Sequence, residues 1–99
     1  MKNQAEILKE LKAMKQALKK QYHVEKLGIF GSYASESANQ ESDLDLLVEF
    51  EDELPNIYEI KKELKAFLEQ KFDIKIDLAR EKYLKPLYRE QILKQVIYV

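Results

Sequence analysis

Residues 30–50, FGSYASESANQESDLDLLVEF, decide the fold of this 99-residue chain. Asp43 and Asp45 open a run in which apolar residues alternate with other positions, the apolar ones being Leu44, Leu46, Val48 and Phe50. Such alternation predicts a β-strand with one apolar face and one mostly carboxylate face. Upstream, Val24–Phe30 is a second predicted strand, which Gly31 and Ser32 end, because glycine permits a tight turn and a close backbone approach to a ligand.

The two aspartates of the strand form a candidate cation site. Side chains two apart on a strand point the same way, roughly 6–7 Å apart along it. Two carboxylates at that spacing repel, so they share a proton, pair with a basic side chain or bind a cation. No lysine or arginine lies between residues 27 and 60. A hard divalent cation is therefore the natural partner, and ligands that are all oxygen suit Mg²⁺.

Hydrophobic spacing along the rest of the chain predicts a small mixed sheet with helices on one face. Apolar residues three and four apart predict helices, and strict alternation predicts one more strand. The predicted helices cover about 4–21, 57–71 and 86–95, with a single turn at 33–37, and the third strand covers 72–78. The apolar residues 96–99 fit either a helix end or a short strand. The fold class is α+β.

Asp77 on the third strand is the candidate for a third carboxylate. It is flanked by Ile76 and Leu78, and it joins the first two aspartates if the second and third strands are neighbours. Three carboxylates can hold two Mg²⁺ ions about 3.5–4 Å apart, the arrangement used for phosphoryl and nucleotidyl transfer. Backbone N–H groups at Gly31 and Ser32 are candidate donors to a polyphosphate. The competing interpretation is a solvated pair on a surface strand, since charges normally face water.

Composition limits the classes of protein that remain. Hydrophobic residues make up 45% and charged residues 35% of the chain, a soluble globular balance that predicts one domain over residues 1–99. The net charge of −1 argues against a nucleic-acid partner. Cysteine is missing, which excludes disulfides and thiolate metal sites. We expect no membrane partner and a cytoplasmic protein, because there is no apolar signal core and no long apolar run.

The order of these features resembles the DNA polymerase β-like nucleotidyltransferase superfamily. The signature of that superfamily corresponds here to Phe30-Gly31-Ser32, a spacer over 33–42, and Asp43-Leu44-Asp45-Leu46, with the third carboxylate at Asp77. The longer string over 31–50 is similar to the minimal nucleotidyltransferases of prokaryotes, as is the C-terminal run 87–99. The resemblance therefore covers nearly the whole chain, and it implies the polymerase β-like nucleotidyltransferase fold.

That resemblance implies a function and a role for each site residue. Asp43 and Asp45 would bind two Mg²⁺ ions, and Asp77 would bind the catalytic ion and help to remove the proton of the nucleophile. Gly31 and Ser32 would bind the triphosphate of ATP. The family adds AMP to a tyrosine of a small all-helical HEPN toxin encoded by the adjacent gene, and so acts as an antitoxin. The alternative is an inactive binding module that neutralises its partner by forming a complex. Nucleotide preference and oligomeric state stay open.

The chain departs from the family pattern shortly after Gly31 and Ser32, which we call the glycine turn. Many relatives read Gly-Ser-x-Ala-Arg-Gly, whereas Ser35 and Glu36 replace the arginine and the second glycine here. We expect an anion at Glu36 to repel a triphosphate unless it points to solvent. Lys75, predicted beside Asp77, either compensates or forms a structural salt bridge. Two further residues are Tyr33, a core or edge residue that could also stack on a base, and Glu49, predicted to be a solvated charge.

Overall fold

A four-stranded sheet organises residues 2–99, the part of the chain that the computed structural model describes. In chain order the strands are β1 (Val24–Phe30), β2 (Leu44–Phe50), β3 (Ile76–Arg80) and β4 (Ile97–Tyr98). Their order across the sheet is β3-β2-β1-β4. Strand β1 is antiparallel to β2 and β4, whereas β2 and β3 are parallel, so the predicted mixed sheet is confirmed.

Four α-helices and one 3₁₀ turn accompany the sheet. They are α1 (Gln4–Tyr22), α2 (Gly31–Ala34), α3 (Ile57–Phe72), the 3₁₀ turn (Glu81–Tyr83) and α4 (Pro86–Gln95). A capping box begins α1: the Asn3 side chain accepts the Glu6 N–H, and the Glu6 carboxylate accepts the Asn3 N–H. These bonds satisfy backbone donors that have no partner inside the helix. Proline begins α4, as predicted.

The hydrophobic core lies between one face of the sheet and the helices α1 and α3. Alternate residues of β2 supply the sheet side of this core: Leu44, Leu46, Val48 and Phe50. The helices contribute residues at three- and four-residue spacing: Ile7, Leu11 and Leu18 from α1, and Ile60, Leu64, Leu68 and Phe72 from α3. The predicted α+β class, with its main helices on one face, is therefore confirmed.

A bulge in β1 sets which of its residues face the core. Val24 and Leu27 are both buried although they are three residues apart, which a regular strand does not allow. The register pairs Val24 with Phe50 and Lys26 with Glu49, so Glu25 is the extra residue. Beyond the bulge the core side carries Leu27 and Ile29. The opposite side, which we call the outer face, carries Gly28 and Phe30.

The predicted start of the third strand is wrong. We expected the strand to begin at Phe72, but α3 continues through that residue, and β3 runs from Ile76 to Arg80. Phe72 satisfies helical spacing with Leu68 and also alternates with Ile74, so the pattern fits both structures. The helix ends at Asp73, whose φ is 54° and whose N–H donates to the carbonyl of Glu69 at 2.9 Å.

The C-terminal segment covers part of the outer face. Gly28 lies under it, and a Cβ at Gly28 would come within 2.8 Å of Val96 Cγ2. Leu47, paired with Gly28 in the β1–β2 register, is buried on this face outside the main core. The choice left open for residues 96–99 is settled as the short strand β4. Within residues 2–99, no helix has the length and apolarity needed to cross a membrane.

Candidate active site

The parallel register of β2 and β3 brings two of the three candidate carboxylates together. Asp45 is the direct partner of Asp77, so both side chains leave the sheet on the outer face. Neighbouring strands lie about 4.8 Å apart, which makes the two carboxylates immediate neighbours. Asp43 lies just before β2 and is exposed, two residues upstream of Asp45. Strands two and three are therefore neighbours, the condition on which Asp77 could join the pair.

Gly31 packs its backbone directly against the Asp45 carboxylate. Its φ of 70° is a left-handed conformation that glycine adopts without strain. A Cβ at this position would come within 3.0 Å of Asp45 Cγ and closer still to Oδ2. Any side chain at residue 31 would therefore displace the carboxylate. The glycine turn and the aspartate strand form one joined structure.

Asp45 is electrostatically unsatisfied. Its pKa rises from 3.8 to about 6 because burial penalises the charged form and because Asp77 and Asp43 add negative charge nearby. Within residues 2–99, no lysine, arginine or histidine forms an ion pair with any of the three aspartates. The fold thus concentrates negative charge at this end of the outer face without a neutralising group from the described chain.

The carboxylates fit a Mg²⁺ ion that the substrate helps to coordinate. Among the described residues, no three His, Cys, Asp or Glu side chains converge closely enough to enclose an ion by themselves. Mg²⁺ does not require such an enclosure, because it keeps several waters and binds through one or two carboxylates together with substrate phosphates. Asp45 and Asp77 could supply two adjacent oxygen ligands, and their uncompensated charge favours a cation.

The glycine turn is held in place from two sides. The Ser32 carbonyl accepts the Ser35 hydroxyl at 3.2 Å and the Ser37 N–H at 2.9 Å. From the other side, the Gln4 side-chain amide donates to the carbonyls of Tyr33 and Ala34 at 3.1 and 2.8 Å. The Tyr33 side chain is buried in the core, so the expectation of a core residue is confirmed and base stacking is excluded in this conformation.

One residue at the site was not expected from the sequence. The Gly31 N–H donates to Gln95 Oε1 at 3.0 Å. Gln95 ends α4 and is separated from Gly31 by 64 positions, so no local spacing connects the two residues. Only the folded position of α4 brings this amide to the glycine turn.

The two departures from the family pattern have different structural outcomes. Glu36 is exposed, with a left-handed φ of 61°, and lies near Lys2 and Asn3 at the start of α1. It therefore points to solvent, the case in which no repulsion is expected. Lys75 precedes β3 and forms no ion pair among residues 2–99, so the prediction that it forms a structural salt bridge is wrong. It instead lines, with Lys2, a groove of about 800 Å³ beside Asp43.

Glu49, at the other end of the outer face, is not the solvated charge that was expected. Arg80 donates to its Oε1 from Nη2 at 2.6 Å and from Nε at 3.1 Å, and the Lys82 N–H donates to Oε2 at 3.3 Å. Burial alone would raise the pKa of Glu49, but these bonds outweigh burial and hold the pKa below its ordinary value of 4.5. The alternation predicts the face on which Glu49 lies but not its distant partner.

The sheet, the glycine turn and the paired aspartates together define a nucleotidyl-transferring class of protein, and comparison with known proteins agrees. Residues 7–99 match the family described as nucleotidyltransferase domain. The chain belongs to this family. Its predicted polymerase β-like fold is confirmed, and it is a transferase of the nucleotidyltransferase type.

Individual relatives narrow the resemblance to small members of the family. The chain is 36% identical over 94 residues to the protein adenylyltransferase MntA of Thermococcus cleftensis, covering 95% of this chain and 93% of the relative. It is 38% identical over 101 residues to a candidate protein adenylyltransferase of Methanocaldococcus jannaschii, covering 100% of both.

The solved structures that resemble this chain include a candidate minimal nucleotidyltransferase and toxin–antitoxin complexes. A structure described as a candidate minimal nucleotidyltransferase superposes with a TM-score of 0.80 at 30% identity, covering 97% of this chain and 95% of the other. A toxin–antitoxin structure with AMP-PNP superposes with a TM-score of 0.67 at 25% identity, covering 98% and 72%. A complex of a tri-AMPylated Shewanella oneidensis HEPN toxin with an MNT antitoxin superposes with a TM-score of 0.61 at 25% identity, covering 92% and 68%.

Proposed function

We propose that this chain, acting as a single domain over residues 1–99, transfers AMP from ATP to a tyrosine hydroxyl of a HEPN-type partner and so acts as an antitoxin. The observation that carries the proposal is the register that sets Asp45 beside Asp77, with Gly31 packed against the Asp45 carboxylate. The Thermococcus relative is named a protein adenylyltransferase, and a similar structure contains an AMPylated HEPN toxin with its MNT antitoxin. The first name supports a protein acceptor, and the second supports a HEPN toxin as that protein.

The three aspartates would hold the metal in this reaction. Asp43, Asp45 and Asp77 would bind Mg²⁺, and the family resemblance sets the number of ions at two. A cation at this place is supported because none of the three aspartates has an ion-pair partner within residues 2–99. Bound Mg²⁺ would lower the pKa of the attacking hydroxyl and neutralise the charge of the leaving pyrophosphate.

The transfer itself is an in-line substitution at phosphorus. The acceptor oxygen forms a bond to the α-phosphorus of ATP, and the bond from that phosphorus to the bridging oxygen of the β-phosphate breaks. The electron pair leaves with pyrophosphate. Asp77 would accept the proton of the hydroxyl, since its carboxylate is exposed on β3 next to Asp45.

The polyphosphate would be bound by Gly31, Ser32 and one nearby lysine. Gly31 and Ser32 would donate backbone N–H groups, and Ser32 also a hydroxyl. Lys75 lines the groove beside Asp43 and has no ion-pair partner within residues 2–99, so it would supply the positive charge that relatives obtain from the arginine replaced here by Ser35. Lys2 lines the same groove but is paired with Glu10 at 3.1 Å.

The decisive experiment follows label from the α-phosphate of ATP. The protein is incubated with Mg²⁺, α-labelled ATP and the purified HEPN protein encoded by the adjacent gene, and label on the partner is measured. We expect transfer with the wild type and with the control Asp52→Asn, an exposed carboxylate in the turn before α3. We expect none with Asp43→Asn. Equal transfer by Asp43→Asn would contradict the assigned site.

The alternative of a catalytically inactive binding module makes the opposite prediction in the same experiment. The wild type would then bind and neutralise the partner without transferring any label, and Asp43→Asn would neutralise it equally well. Measuring partner binding by titration calorimetry alongside label transfer separates the two functions.

A further inference from the structure

The Gly31 N–H, which the proposed function makes a donor to the polyphosphate, already has an acceptor. The Gly31 N–H donates to Gln95 Oε1 at 3.0 Å. Gly31 also contacts the Asp45 carboxylate so closely that no Cβ fits between them. The residue that carries this N–H is therefore in direct contact with Asp45. The proposed function requires the same N–H to donate to a phosphate oxygen of the nucleotide.

The helix that carries Gln95, α4, makes few buried contacts with the rest of the protein. No side chain of α4, residues 86–95, is buried, and Gln95 itself is exposed. Near its start, α4 is attached by Arg89, which donates to the Glu81 carbonyl at 2.8 Å. Past its end, Val96 packs over Gly28. The Gln95 side chain can therefore leave the Gly31 N–H without disturbing a packed core.

A phosphate oxygen is a better acceptor than a side-chain amide. Hydrogen bonds to an ionised acceptor are roughly twice as strong as those between neutral groups. We propose that Gln95 is a built-in competitor for the polyphosphate: its amide oxygen occupies the Gly31 N–H in the free protein, and a phosphate oxygen replaces it on binding. This inference rests on the proposed function, and it makes Gln95 a residue that sets nucleotide affinity.

Removing the competing acceptor should tighten polyphosphate binding. Gln95→Met keeps the length of the side chain but removes the amide oxygen. Because one hydrogen bond contributes a net of about 0.5–1.5 kcal/mol, we expect the variant to bind inorganic triphosphate about two- to tenfold more tightly in the presence of Mg²⁺. Gln95→Glu should bind it more weakly than the wild type, because a carboxylate acceptor holds the N–H and repels the anion. Titration calorimetry measures all three affinities.

The matched control is Gln91→Met, the same change one turn earlier on α4, which should leave the affinity unchanged. A role limited to stabilising the turn would make Gln95→Met bind triphosphate equally well or more weakly than the wild type, and either result overturns the inference. In the nucleotide-free protein, the Gly31 amide resonance should shift in Gln95→Met and not in Gln91→Met. An unshifted resonance would also overturn it.

Failure of the proposed function has a different signature. If the wild type and Gln95→Met bind neither triphosphate nor ATP although the Gly31 resonance shifts, the proposed nucleotide site is wrong, and the inference is overturned with it. If the wild type binds ATP and transfers AMP while Gln95→Met matches its affinity, the proposed function stands and the role of Gln95 is overturned alone.

Discussion

Asp45 and Glu49 lie four residues apart on the same face of the same strand, yet the fold moves their pKa values in opposite directions. The Glu49 carboxylate accepts hydrogen bonds from the Arg80 guanidinium and from the Lys82 N–H, and its pKa falls below 4.5. Asp45 faces burial and two more aspartates, and its pKa rises to about 6. The chain itself supplies the countercharge at one end of β2. At the other end a countercharge from outside, a metal ion, fits the arrangement.

The largest expected difference between the two ends is in catalysis. Asp45→Asn should reduce AMP transfer at least about 100-fold, because it removes the carboxylate that we propose as a metal ligand at the reacting phosphate. Glu49→Gln should retain transfer within a few-fold, since Glu49 binds Arg80 rather than the site. The measurement is the initial rate of label transfer from α-labelled ATP. Comparable losses in both variants would mean that the two ends are not separate in function.

The second difference is in stability, where Glu49 should matter more. Glu49→Gln leaves Arg80, whose side chain is 11% exposed, without its charged partner, so we expect a loss of about 1–3 kcal/mol in the free energy of unfolding at pH 7. The folded pKa of Glu49 is lowered, so its stabilisation is present above pH 4.5 and is lost as the pH falls through the folded value. Urea unfolding at pH 7 and pH 3 measures both effects, and a deficit that persists undiminished at pH 3 would contradict the ion pair.

Asp45 should show the reverse dependence in metal-free protein. Its folded pKa is raised, so its contribution is favourable below pH 3.8 and is lost as the pH rises through about 6. At pH 8, the free energy of unfolding of Asp45→Asn should therefore exceed that of the wild type by about 1–2 kcal/mol after allowance for solvent screening. Urea unfolding measures this difference. The advantage should vanish near pH 4.

Added Mg²⁺ should reduce the difference in unfolding free energy between Asp45→Asn and the wild type at pH 8. An ion that binds only the folded wild type stabilises it by mass action, by about 1.4 kcal/mol at ten times its dissociation constant. Asp45→Asn should gain much less, and Glu49→Gln should gain as much as the wild type. Thermal unfolding with and without Mg²⁺ at pH 8 provides the measurement, and equal gains in all three proteins would argue against a metal at Asp45.

Local patterns in the sequence predicted this contrast only in part. The alternation over 43–50 predicts β2 and its outer face, and Ile76 and Leu78 around Asp77 identify the neighbouring strand. The ion-pair partner of Glu49 was not predictable from these patterns. Arg80 is 31 positions from Glu49, and such pairings depend on how β2 and β3 come together rather than on spacing along the chain.

The same limit explains the errors at Phe72 and Gln95. Phe72 fits helical and strand spacing equally well, and the continued hydrogen bonding of α3 decides for the helix. Gln95 lies on a helix without buried residues, so no apolar pattern marks how that helix is oriented. The positions of the carboxylates on the two regular strands were predictable, whereas contacts made by turns and by the last helix were not.

The smallest expected effect concerns Glu36, where the family pattern has glycine. Its φ of 61° is a left-handed conformation that costs a residue with a side chain about 1 kcal/mol. Glu36→Gly should therefore stabilise the protein by about 0.5–1 kcal/mol, with part of the gain offset by the greater freedom of glycine when unfolded. The KM for ATP should not change, because the exposed side chain lies near Lys2 and Asn3 rather than at Gly31. The control is Glu41→Gly, which removes a charge from the same loop at a residue without positive φ and should not stabilise. A lower KM in Glu36→Gly alone would show that the Glu36 carboxylate repels the triphosphate. The uncompensated negative charge around Asp43, Asp45 and Asp77 would then include Glu36 as well.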